Sequence, residues 1–367
     1  MDIPGDVLAG ILLRLPPSSR RLTRLVCRQW RDVVDTRTAE MQSRAKPLVV
    51  TDGGSAHVVD DLSTGSHRVL WSEPRNVIIG TCNGLICLCD NQKVGGTITV
   101  INPVTSGKLC LPPLPSTTGA RRRRYIVGWH EAYGFGYHPM TGRHKIVHVA
   151  AYGGSKGTSH QVKVFTLGES SWRDVATGSG PGTPRCKYSA GIVGVNGTIY
   201  WAARRGKKLV AFDLDHERLS FIKSLPDTNL RNGSWNLTEV RGRLGVVVHS
   251  CECEVWVLEV AATMKEHKWS RWYIVRRDAP SWSWQLTRPH FAHSQYLLTD
   301  ELSDGCGGAR NNAVYKHKPN SDSGMVDINE TSPGTRVLTI KDALFNHCQT
   351  FAYVETTEPL SVYKCCS

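Results

Sequence analysis

The chemically versatile side chains in this sequence are its 14 histidines and 12 cysteines, so their spacing is weighed first. His144 and His148 are four apart in the strand-like string HKIVHV. On a strand they share one face, but at a wider separation than on a helix. His290 and His293 have no carboxylate beside them in sequence. Cys87 with Cys89, and Cys251 with Cys253, are each separated by a single residue, so on a strand each pair points one way. Zinc sites favour wider loops such as C-x-x-C in matched halves. These thiols therefore read as small buried hydrophobes. No H-E-x-x-H, G-x-S-x-G or P-loop string occurs. The glycines of Gly134-Phe135-Gly136 belong to a hairpin and not to a phosphate-binding strand–helix turn. The expectation is a protein with no catalytic residue, no metal site and no cofactor of its own, and spacing alone leaves open a site assembled from distant loops.

Other features suit binding. Arg121, Arg122, Arg123 and Arg124 form one dense basic run. It reads as a solvated loop tip, with an acidic partner or nuclear import as the sharper alternatives. The remaining cations are scattered and no nucleic-acid motif accompanies them, so the net charge of +13 does not point to nucleic acid. Trp282 and Trp284 place two indoles on one face. They suit a packed edge strand or an exposed anchor for a protein target, since Trp is enriched at binding hot spots. Trp172, Trp201, Trp256 and Trp272 recur at regular positions and read as core.

These residues need elements to hold them. The chain has 367 residues, enough for a small helical module and one large β domain. Hydrophobic residues make up 40% and charged residues 21%, as in soluble globular proteins. No run approaches the roughly 18 apolar residues of a membrane span. Asp2 and Asp6 stand where a signal peptide carries positive charge. The expected location is cytoplasmic, nuclear or both, with no membrane partner.

Residues 1–46 have helical texture. Pro4 suits a helix start, and Asp6 in the first turn suits the helix dipole. Val7, Leu8, Ile11, Leu12 and Leu15 follow at helical spacing. Pro16-Pro17 ends that helix, and Ser18 and Ser19 are candidate caps for the next. Leu22, Leu25, Val26, Trp30, Val33 and Val34 form a second stripe, interrupted near Cys27. So much Leu, Ile and Val on a module this small suggests a partner surface, with a helical cap on the β domain as the alternative.

From about Leu48 the texture is short strands and turns. Asn83-Gly84, Asn196-Gly197 and Arg241-Gly242 each precede an apolar strand. Strands around Val164, Ala211 and Val257 recur at intervals of about 46 residues, in the range of propeller blades. Residues 47–367 are expected to form a β-propeller of about six blades, with a pair of β-sandwiches as the alternative. The stretch 280–335 departs from the repeat. Its GCGGARNN and PNSDSG runs read as mobile loops of an insertion.

Both halves resemble known families. The string IPGDVLAGILLRLPPSSRRLTRLVCRQWRDVV resembles an F-box: Ile3-Pro4 stands where the family usually has Leu-Pro. Ile11-Leu12-Leu13-Arg14-Leu15-Pro16 matches its I-L-x-R-L-P core, and Val26-Cys27-Arg28-Gln29-Trp30-Arg31 its V-C-[KR]-x-W-[KR] ending. Arg20 occupies a place that is usually Leu, with Leu22 able to take over one face along. The strings GTCNGLICL, INPVTSGKLCLPPLP, YGFGYHPMTGRHKIVHV, VKVFTLGESSWRDV, VNGTIYWAA and LVAFDLDHERLSFIKSLP resemble the kelch-like F-box-associated domain of plant F-box proteins, in family order over residues 75–275. The tail FAYVETTEPL is also typical of those proteins. The first resemblance implies a three-helix F-box docking a Skp-type adaptor and, through it, a cullin-based ubiquitin ligase. Pro4, Leu8, Ile11, Leu12, Leu15, Pro16, Leu25, Val26 and Trp30 would be divided between the module's core and that interface. The second implies a β domain that holds an unidentified protein target. A binding propeller whose F-box serves a non-degradative role is an alternative, and a propeller enzyme a more distant one.

Overall fold

The computed structural model describes residues 3–15, 17–23, 26–37, 45–51, 54–72, 76–92, 96–115, 129–138, 141–149, 162–175, 186–203, 208–222, 225–226, 234–249, 252–260, 267–277, 284–304, 310–321, 323–328, 334–343 and 348–364. The N-terminal part is helical. Helix α1 spans Gly5–Leu12, α2 Pro17–Thr23 and α3 Arg28–Arg37. Pro4 caps α1 from outside, and Asp6 lies in its first turn. The module's described core joins only two of these helices: Leu8, Ala9 and Leu12 of α1 pack against Val33 and Val34 of α3. The expected three-helix bundle is in this sense a helix pair with a short segment attached. The Gln29 amide of α3 donates to the Ile3 carbonyl at 2.8 Å, closing the pair at the start of α1. Ser18 and Ser19 do not cap α2. The helix begins at Pro17, whose fixed φ suits a first turn, and takes both serines inside.

The rest is all β, in six sheets. Each is a four-stranded antiparallel array ordered from the inside out, to which the first and the fifth add one parallel strand each. The innermost strands are Gln349–Tyr353 in the first blade, Asn76–Cys82 in the second and Tyr133–His138 in the third. Ile192–Val195 and Ser234–Val240 are the innermost strands of the fourth and fifth. In the sixth, Trp284–Leu286 and Ala292–His293 both pair with Tyr296–Asp304. Neighbouring innermost strands touch from the first blade to the fifth, and Arg288–Pro289 links the fifth back to the first. The ring closes because Gln349–Tyr353, from the end of the chain, pairs antiparallel with Lys46–Val50, from its beginning.

The core follows this architecture. It is a set of six apolar clusters, each between two adjacent blades. Strands are buried on both faces, which explains runs such as Leu85–Asp90 with hardly a polar side chain. Blades approach closely where an innermost strand carries glycine. A Cβ on Gly194 would stand 2.9 Å from the Phe135 carbonyl oxygen of the next blade. The turns Asn83-Gly84, Asn196-Gly197 and Arg241-Gly242 have positive φ at both central residues. That is the type I′ geometry that a two-residue hairpin requires.

The stretch expected to be an insertion of mobile loops is built into the ring. It supplies the strands of the sixth blade, including Arg310–His317, whose first residues belong to the GCGGARNN run. It also supplies Met325–Ile328, which adds a parallel fifth strand to the edge of the fifth blade. A hairpin of one blade thereby covers the edge of its neighbour. The polar composition hid these strands because they bury polar side chains, Asn312, Lys316 and His317 among them.

Candidate protein-interaction surfaces

The propeller has two unlike faces. All innermost strands run the same way, so their hairpin turns gather at one end of the channel. The turns are tied there: the Asn196 amide donates to the Gly242 carbonyl at 2.7 Å, and the Arg241 guanidinium to the Ser294 carbonyl at 3.4 Å. The chain leaves its last innermost strand at the same end, since Gly84 packs on Val354 and Thr356. At the opposite end the chain passes from blade to blade. There His130 sits in a one-turn helix, Trp129–Ala132, and its Nδ1 accepts from the Asn91 side-chain amide at 2.9 Å. Lys187 lies over the Trp235 ring at 4.4 Å from its centre.

The expected target contacts fall partly outside what is described. Arg121, Arg122, Arg123 and Arg124 lie outside the described residues, as does Trp282. Trp284 is placed in the innermost strand of the sixth blade, opposite Glu301, and packs half-buried against the apolar cluster of the fifth and sixth blades. It thus sits packed in a strand that ends its sheet, the first of the two expected readings. The other tryptophans divide. Trp172 and Trp201 are buried. Trp256 and Trp272 are only partly so, and each carries an arginine on its ring, Arg271 and Arg243.

The helical module sorts the nine expected adaptor residues. Leu8 and Leu12 are fully buried in its core, with Leu15 and Trp30 packed against it. Pro4 is exposed. Pro16 and Leu25 lie outside the described residues. Ile11 is 46% exposed and Val26 62%. Val7 at 55% and Leu22 at 62% join them as bare apolar side chains that no core demands. Val7 and Ile11 are one turn apart and so share a side of α1. That spacing was visible in the sequence, but periodicity does not tell which flank of a stripe is covered.

Arg20, which stands where the F-box family usually has Leu, takes a place that the sequence reading did not assign it. It is 2% exposed, and Tyr137, Glu358 and Cys82 lie near enough to act on its charge. Burial pulls it below its usual value, and the charges of those neighbours oppose that. Tyr137 and Cys82 close the innermost strands of the third and second blades. Glu358 lies in the C-terminal tail, fully buried. The helical module therefore sits on the face that carries the hairpin turns.

The histidines and cysteines fall as packing elements. His144 and His148 do share a face, buried against Phe135, Tyr137 and Tyr133. Burial holds their pKa values down to about 3 and about 4. Cys87 and Cys89 are buried in one cluster. Among the described residues no group of His, Cys, Asp and Glu is arranged to hold a metal ion. The end of the channel beside the turns holds a cavity of about 50 Å³, lined by small residues such as Gly80 and Gly194. Glu239 faces it, paired with His290 at 2.8 Å. Burial would push that carboxyl up, but hydrogen bonds from His290 and the Gly242 N–H keep it below its ordinary value.

The F-box domain model matches residues 1–38, and the model of the F-box associated beta propeller domain matches residues 54–295. The chain belongs to the plant F-box proteins that carry an F-box-associated β-propeller. An F-box protein of Arabidopsis thaliana is 25% identical over 338 residues, covering 77% of this chain and 77% of its own. An F-box/LRR-repeat protein of the same plant is 27% identical over 318 residues, covering 79% of this chain and 71% of its own. The F-box is thus the pair of helices with its bare apolar flank, and the propeller presents its blade-to-blade connections on the side away from it. No described helix of this F-box protein is long and apolar enough to cross a membrane.

Proposed function

We propose that this F-box protein recruits substrates to an SCF-type cullin ubiquitin ligase, without chemistry of its own. Residues 1–46 dock a Skp-type adaptor and residues 47–367 hold a protein target. The observation that carries the reading is the bare flank of the F-box. Val7, Ile11, Leu22 and Val26 are exposed although the module has a complete small core without them. Apolar groups left in water on so small a unit suit a partner surface. The channel cavity supports a non-catalytic role. At about 50 Å³ it holds a few waters and no substrate of ordinary size. The target surface is the face of blade-to-blade connections, because the F-box occupies the other. Arg121–Arg124, Trp282 and Trp284 are the residues proposed to serve it, the arginines through encounter rate with an acidic partner.

The test is co-purification of adaptor and cullin with the full chain, with Ile11→Glu as comparison. Wild-type protein should capture both, and the variant neither. Expressed in cells, the variant should still hold the target and so lengthen its half-life. Equal capture by both proteins would refute the assignment of this flank.

A further inference from the structure

We infer that Arg20 is a positioning residue that locks the F-box onto the propeller, so that the adaptor-binding flank points in one fixed direction relative to the target face. Three observations converge on it. First, α2 adds nothing to the described core of the F-box, yet Arg20 is 2% exposed. Its burial comes from the propeller, since the groups it acts on are Tyr137, Glu358 and Cys82. Second, its counter-charge is held from several sides. The Tyr363 hydroxyl donates to the Glu358 carboxylate at 2.7 Å, and lies 3.4 Å from the His144 ring nitrogen. The Asn102 amide donates to the carbonyls of Thr356 and Glu358 at 3.0 and 2.8 Å. Second blade, third blade and tail thus fix one acceptor. Third, Leu22, two positions after Arg20, is 62% exposed. The same short helix turns its cation into the propeller and an apolar side chain outward.

The physical consequence is strong orientation rather than strong stability. A buried ion pair gains little over an apolar pair of the same shape, but separating it leaves a carboxylate in apolar surroundings and is costly. An apolar side chain at this place would allow sliding, and the arginine does not.

The experiment measures ¹⁵N relaxation on the full chain, with no adaptor present, so it stands or falls independently of the ligase reading. Wild-type F-box and propeller amides should share one rotational correlation time. In Arg20→Leu and in Glu358→Gln, the F-box value should fall by at least about two-fold while the propeller value is retained. Glu358→Gln keeps an acceptor for Tyr363 and guards against misfolding of the first variant. The double variant should release the F-box no further than either single one. Independent tumbling already in the wild type, or a shared correlation time in both variants, would overturn the inference. Release by only one of the two would overturn the pairing of Arg20 with Glu358.

Discussion

Leu8 and Ile11 stand three positions apart on one short helix and call for opposite experiments. Leu8 is fully buried against Val33 and Val34, so shortening it opens a cavity in a very small core. Leu8→Ala should cost about 2–5 kcal/mol of F-box stability. A loss of adaptor capture in that variant would report unfolding and not contact. Ile11 projects into water at 46% exposure. Ile11→Glu should change stability by less than about 0.5 kcal/mol and weaken adaptor binding at least ten-fold, as a charge does in the middle of an apolar interface. Thermal unfolding and a binding titration, run on both variants, separate the two effects. Equal adaptor affinity in Ile11→Glu and wild type would place the interface elsewhere.

At the scale of elements, the tail after Tyr353 does more than end the chain. It crosses the turn side of the second blade, held by Asn102, and reaches the third, where Tyr363 meets His144. Asn102 is itself fully buried. Asn102→Ala should cost about 1–3 kcal/mol, because two buried carbonyls lose their donor. Hydrogen exchange should show residues 354–364 opening more readily than the blades; unchanged protection would argue that Leu360 and Tyr363 alone pin the tail. Much of this fold was legible beforehand. The Asn-Gly turns mark hairpins because left-handed backbone is costly for other residues. The interval of about 46 residues between Val164, Ala211 and Val257 marks equivalent third strands of successive blades. The sixth blade was not legible, since a strand such as Arg310–His317 buries polar residues, among them Asn312, Lys316 and His317, and shows no apolar alternation to mark it. The burial of Arg20 was illegible for a different reason. Its neighbours are spread along the chain from Cys82 to Glu358, and only the closed ring brings the ends of two innermost strands and the tail to one point.

The whole molecule should be sensitive to acid. Burial holds His144 at about 3, and His130, His148, His249, His293 and His317 each at about 4. In the unfolded chain each returns to about 6.5. Between these values the unfolded state binds more protons than the folded one, so stability is complete above about pH 6.5 and falls as pH drops toward 4. Urea unfolding from pH 7.5 to 4.5 should show an uptake of several protons per molecule, and His148→Phe should lower that uptake by about one. A flat profile across this window would contradict the buried, neutral state of these rings. The closure of the ring has a further consequence, for synthesis. The strand Lys46–Val50 is made long before its partner Gln349–Tyr353. The F-box helices, whose contacts are local, can form as soon as they emerge. For most of translation a nascent chain thus carries a formed F-box beside an unclosed ring and an open strand edge. Glu358 emerges later still, so the F-box cannot dock until the propeller is complete. A product cut short by a premature stop before residue 349 would keep its adaptor surface while lacking both the last strand and the docking carboxylate. It would compete for adaptor without presenting anything to the ligase, and its unpaired strand would invite aggregation.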